Sequence, residues 1–393
     1  MKYIKLLVLL FVISFSSGCI FEPKVTTEIN LTNRLSFNYG EEVYLYDIVQ
    51  ITDGSIIDQN YLVDTTSIGE NKIQINYKDS NKHKKSYKFS INIIDNEKPI
   101  LSVPKNQYVV QNNEINLLNK VFYGDNATRN VQCNITGDYD LTTIGDYDLT
   151  YTATDESNNT SIKTSTLHVI EKPLETDDKK TEGTPINYYI KNYKDKANQI
   201  GIDVSSHQSD IDFNKVKAAG VDFVILRCGY GPDSDGQMTL DSNFETYYND
   251  AKAAGLKIGV YIYSYATTIE EANIQSDWLL DELKDKPIDL PIAYDWESWY
   301  TFSSCNLNFY DLNIIAKTFL DNIKNSNYQV MLYGSKYYLE TIWNLPEYNT
   351  WLAQYYSEAT YNKEFNMWQL TDEGTVDGID TKVDIDILKA VNN

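Results

Sequence analysis

Residues 290–298 read LPIAYDWES, an apolar run closed by Asp295, Trp296 and Glu297. Ile292, Ala293 and Tyr294 form a short β-prone segment, and Ser298 begins a turn. Successive side chains of a strand point to opposite faces, so Asp295 and Glu297 share one face and Trp296 takes the other. Two carboxylates forced into one cleft repel when both are ionised. Their pKa values separate, one group keeping its proton while the other stays charged. That division of labour is what cleavage of a glycosidic bond requires.

Outward from this segment the same layout recurs. IGIDVS at 200–205 is followed by DFNKVKAAG, DFVILRCGYG at 222–231 by NFETYYNDAKAAG, and KIGVYIYSYA at 257–266 by TIEEANIQSDWLLDELK. LPIAYDWES precedes YDLNIIAKTFLDNIKNS, and QVMLYGS at 329–335 precedes a short helix around KYYLETIW. Strands alternating with amphipathic helices predict a parallel sheet with helical cover. TWLAQY, NMWQL and VDIDIL then read as three strands with no full helix between them. The expectation for 199–393 is an α/β TIM-like barrel of eight strands and about five helices, with its chemistry at the C-terminal strand ends.

Two further acids occupy comparable places. Asp203 ends the first strand and Asp384 lies in the last, and first and last strands are neighbours in a closed barrel. Asp203, Asp295, Glu297 and Asp384 are therefore expected around one mouth. Any one aspartate is more commonly a cap or turn former; it is the set of four that points to chemistry. Tyr263, Tyr333, Trp351 and Tyr355 fall in the third, fifth and sixth strands. Such rings can stack on a pyranose face, although with 32 tyrosines in the chain most must serve packing.

Composition narrows the alternatives. A length of 393 residues exceeds one ordinary core, and 42% apolar with 23% charged residues is a globular balance. A net charge of -22 argues against nucleic acid as a partner. Of the histidines His83, His168 and His207, only His207 falls in the barrel, which leaves little for a histidine triad or a multi-histidine metal site. No metal or other cofactor is expected. The four cysteines follow neither a zinc nor a disulfide pattern, and Cys228, inside VDFVILRCGYG, reads as a small core residue.

At the N-terminus, Lys2 and Lys5 precede LLVLLFVISF and the small residues SSG, the layout of a signal peptide over 1–18. Cys19 directly after Gly18 resembles a bacterial lipobox, with Ser16 where leucine is usual; ordinary secretory cleavage is the alternative. Residues 19–24 would be a tether. From 25 to 172, β-prone stretches alternate with turn clusters. TTSIGENKIQINYKDSNKHKKSYKFSINIIDNEKP aligns with LTTIGDYDLTYTATDESNNTSIKTSTLHVIEKP, setting Ile68-Gly69 against Ile144-Gly145 and Asp79 against Asp155 at one offset of 76 residues. Two modules, 25–96 and 97–172, resemble bacterial immunoglobulin-like domains and are expected to be all-β sandwiches. They read as a spacer in preference to a binding surface, and 173–198 reads as a linker.

GIDVSSHQ, RCGYG, GVYIYSYA, YDWES, WLAQY, MWQL and VDIDI, in that order from Ile200 to Asn393, resemble the family-25 glycoside hydrolases, the muramidase-type lysozymes. The resemblance implies cleavage of the β-1,4 bond between N-acetylmuramic acid and N-acetylglucosamine in peptidoglycan, without metal. It implies Glu297 as general acid/base, Asp295 steadying the acetamido group or the positive charge, and Asp203 and Asp384 as supporting acids. Asp386 stands where the family often has asparagine, and Cys228 where a small apolar residue is usual. Inverting, covalent and substrate-assisted routes all remain open. The expected protein is an exported monomer, anchored through a lipid on Cys19 to the outer face of the cytoplasmic membrane and facing the wall. A glycan-binding surface lipoprotein or adhesin without catalysis is the alternative, and chitin an alternative substrate.

Overall fold

Eight strands close the C-terminal barrel of this computed structural model, which describes residues 26–57, 59–174, 182–195 and 198–389. The signal peptide, the tether and Cys19 lie outside the described residues. The chain divides into two units, Met1–Asp95 and Asn96–Asn393.

In the first unit a long antiparallel hairpin, Gly69–Lys78 with Lys84–Ile94, carries Ser55–Ile56 and Ser36–Asn38 at its edges. A two-stranded sheet, Glu28–Leu31 with Val49–Thr52, accompanies it. Phe37, Ile48, Ile75, Ile91 and Ile93 belong to its core. In the second unit the corresponding hairpin is Gly145–Thr154 with Thr160–Ile170, edged by Gln132–Thr136 and Asn106–Val110. Ile100–Ser102 and Phe122–Gly124 form the short second sheet. The hairpins keep the offset of 76 residues, Gly145 against Gly69. Each turn places a positive-φ residue at the same repeat position, Lys82 and Asn158, where the Asp79 and Asp155 carbonyls accept their amides.

The expectation of immunoglobulin-like sandwiches needs correction. Each module sets a four-stranded sheet against a two-stranded one, and each larger sheet contains a parallel pair, Ser36–Asn38 with Lys84–Ile94 and Asn106–Val110 with Thr160–Ile170. An immunoglobulin sandwich has two antiparallel sheets of three or more strands. Alternating apolar residues reveal a strand and its buried face, but not which neighbour it pairs with.

The barrel strands are β1 (Asn198–Val204), β2 (Phe223–Gly231), β3 (Lys257–Ser264), β4 (Ile292–Asp295), β5 (Val330–Ser335), β6 (Asn349–Ala353), β7 (Met367–Thr375) and β8 (Val383–Lys389). β1 to β7 pair in parallel in that order, while β8 is antiparallel to both β7 and β1 and closes the ring. Helices α1 (Phe213–Ala218), α2 (Phe244–Ala253), α3 (Ile269–Glu282), α4 (Trp299–Ser304), α5 (Phe309–Asn325) and α6 (Lys336–Thr341) follow the first five strands, α4 and α5 both after β4. The TIM-like expectation is thereby corrected: the sheet is mixed, and no helix follows β6 or β7 among the described residues. The turn at 376–382 is too short for the crossover a parallel strand needs, so β8 must return antiparallel.

Period-2 alternation sorts the barrel into two cores. Phe223, Ile225, Ala293, Met331 and Met367 fill the interior, while Val224, Leu226, Cys228, Ile292, Tyr294 and Leu332 face the helices. Gly201 makes room for that interior, since a Cβ there would lie 2.2 Å from the Phe223 ring. The stretch read as a linker is partly barrel structure. Thr184–Pro185 pairs in parallel with β7, and the helix Ile186–Tyr193 buries Ile186 and Tyr189 in the outer core.

Candidate active site

Above the apolar interior, the strand ends turn polar around a cavity of about 280 Å³. Asp203, Asp295, Glu297 and Asp384 all line it, as do Tyr263, Tyr333, Trp351 and Tyr355. β4 explains the central pair. Asp295 continues the inward face of Ala293, whereas Trp296 turns outward against Phe302, Tyr338 and Trp343. Glu297 then returns to the cavity side just beyond the strand. Asp295 is buried, and Glu297 opens to the cleft. Antiparallel β8 accounts for the fourth acid: Asp384, near its start, sits directly opposite Asp203, near the end of β1.

A chain of hydrogen bonds ties the floor together. The Tyr333 and Tyr355 hydroxyls each donate to Gln369 Oε1 at 2.9 Å, and Gln369 Nε2 donates to Asp203 Oδ2 at 2.8 Å. Trp351 Nε1 donates to Asp386 Oδ1 at 2.8 Å. Asp386 is fully buried, and its Oδ2 meets no N–H or O–H donor among the described residues. Asp386 lies near enough to Asp203 for its charge to favour the protonated form there.

Burial, then the charge of Asp386, pushes the Asp203 carboxyl far above the usual range. Burial, then Asp384, raises Asp386 to about 8. Asp384 is raised to about 9 by burial and then by Asp203. Asp295 is lifted well above the usual range by burial and then by Glu297, with Arg227 opposing. Glu297 is also raised, mainly by loss of water. Asp295 and Glu297 line the same cavity, and the charge of Glu297 favours a proton on Asp295. All five carboxyls are held above their ordinary range, so the arrangement can hold a proton beside a reacting oxygen.

The aromatic residues differ in availability. Trp351 is 2% exposed and packs edge-on against Tyr333 and Tyr261, which makes it floor. Tyr355, 48% exposed, forms part of the rim. Residues the sequence reading passed over also line the cavity: His207, Arg227, Tyr261 and Gln369. Arg227 is held by Asp241 at 2.7 Å and donates to Ser206 Oγ at 3.1 Å. Polar residues inside ILRCGYG and MWQL were the available signal, because a lone polar side chain on the inward face of an apolar strand needs a partner. A larger cavity, of about 570 Å³, is lined by Asp210, Asp212, Asp250, Asp377 and Asp380. Asp212 there caps α1, accepting from the Asn214 and Lys215 amides.

The autolytic lysozyme of Clostridium acetobutylicum is 28% identical over 192 residues, which are 47% of this chain and 54% of that protein. The chain thus spans about half the length of this relative. The spore cortex lytic enzyme SleM of Clostridium perfringens superposes with a TM-score of 0.45 at 22% identity, covering 51% of this chain and 69% of that one. A family 25 glycosyl hydrolase from Bacillus anthracis gives 0.44 at 17% identity, covering 51% and 93%. Residues 202–379 match the family described as Glycosyl hydrolases family 25, so the barrel carries a domain of that family.

Proposed function

We propose that the barrel hydrolyses peptidoglycan at the β-1,4 bond between N-acetylmuramic acid and N-acetylglucosamine. Glu297 protonates the leaving oxygen and then activates water, while Asp295 steadies the acetamido group or the positive charge developing on the sugar. Asp203 and Asp384 orient substrate and tune that pair. A glycan strand filling the cavity strips water from Glu297, raising its proton affinity when the proton is needed. Tyr263 and Tyr355 offer ring faces to the sugars, and Tyr333 and Trp351 hold the floor beneath them.

The observation that carries this reading is one cavity lined by all four acids, with Asp295 deep and Glu297 open to the cleft. The 28% identity with an autolytic lysozyme supports the choice of substrate. On the same reading the protein is exported, a monomer held to the membrane by a lipid on Cys19, with its modules as a spacer towards the wall. Digestion of purified sacculi followed by borohydride reduction tests the bond. Release of fragments ending in muramitol is expected. Fragments ending in glucosaminitol, or digestion of chitin oligomers with intact sacculi, would overturn the assignment.

A further inference from the structure

The loop that carries Glu297 runs straight into α4, and four residues separate α4 from α5. The start of α5 is completed by a different module. The first amides of a helix have no partner within it. Here the Phe309 amide donates to the Asp125 carbonyl at 2.8 Å, and the Tyr310 amide to the Asn126 carbonyl at 3.3 Å. Asn308 caps the helix by accepting from the Asp311 amide, and its Nδ2 donates to the Ala127 carbonyl at 2.7 Å. Arg129 grips Asp311 with two bonds, of 2.7 and 3.0 Å.

The contact extends to α4. Phe122 meets Trp299 edge-on at 5.2 Å, and Trp299 stacks on Phe302, which stacks on Phe309. Gly124 is fitted to these rings, since a Cβ there would lie 2.7 Å from Phe309 and 3.0 Å from Phe302. Tyr338 on α6 packs on Trp296, the residue before Glu297. Backbone capping, a charged fork and fitted rings therefore converge on the elements flanking Glu297.

We propose that the module spanning 97–172 is a positioning part of the active site, its 122–129 segment clamping α4 and α5 so as to fix the Glu297 loop. This goes beyond the spacer reading, and its kinetic consequence rests on Glu297 acting as proposed above. Asn308 and Gly124 are the positioning residues.

Full-length Asn308→Ser, which keeps a cap acceptor but shortens the bridge to Ala127, and Gly124→Val test it, with Ile162→Ala as a control at an exposed site on the same module. Hydrogen–deuterium exchange across 296–304 should quicken about fivefold or more in the first two variants and stay unchanged in the control. On sacculi, kcat should drop about tenfold with KM little altered, because a displaced acid weakens the transition state more than binding. The alkaline limb of the pH–rate profile should move down as Glu297 gains water. Native exchange across 296–304 in both variants would overturn the clamp. Since exchange needs no turnover, a native chain inactive on sacculi would refute the hydrolase reading while leaving the clamp to be judged by exchange.

Discussion

Asp386 shows what a single side chain contributes to this site. Its ordinary pKa near 4 in an unfolded chain rises to about 8 in the fold through burial and Asp384. The folded state therefore binds the proton more tightly, so the stability it contributes is full below the unfolded pKa and is lost as pH climbs through the folded one. Asp386→Asn removes this titration and keeps an oxygen that can accept from Trp351. The Tm of the variant relative to the native chain should rise by several degrees between about pH 4 and about pH 8. A difference independent of pH would mean that Asp386 takes up no proton in this range. The position was visible in the sequence as a departure from asparagine. Its effect on Asp203 was not, because the two lie on different strands and only barrel closure brings them together.

At the scale of elements, alternation was the legible signal. It set Asp295 and Glu297 on one face and Trp296 on the other, and the strand count of eight follows from the same runs. Strand direction was harder to read. Only the short turn at 376–382 distinguishes an antiparallel β8 from a parallel one, and that direction brings Asp384 to the end of the barrel where Asp203 lies. The helix Ile186–Tyr193 was hidden among charged and turn-forming residues, and its burial of Ile186 and Tyr189 is a tertiary effect. Interior packing offers a direct check. Gly201→Ala would drive a methyl into the Phe223 ring, and chemical denaturation should show a loss of about 1–3 kcal/mol. Unchanged stability would mean that the interior is looser than described.

For the whole molecule, the repeat was plain in sequence because the offset of 76 residues preserves both hairpins and their turn residues. The sheet pairing within each module was not, since similar alternation serves several β architectures. The anchor belongs to this scale as well. If Cys19 carries lipid, Cys19→Ala should move the protein from the detergent phase to the aqueous phase on phase separation, with turnover on soluble glycan fragments retained. Fatty-acid labelling that persists in the variant would contradict it.

The central claim is that Glu297, at the cavity shared with Asp203, Asp295 and Asp384, moves the proton on which glycan cleavage depends. Reducing-end release from purified sacculi by Glu297→Gln, with circular dichroism and Tm matched to the native chain, measures this directly. A fall in kcat of about 10²-fold or more is expected, the scale of a lost general acid. Turnover equal to the native chain in the folded variant would contradict the account.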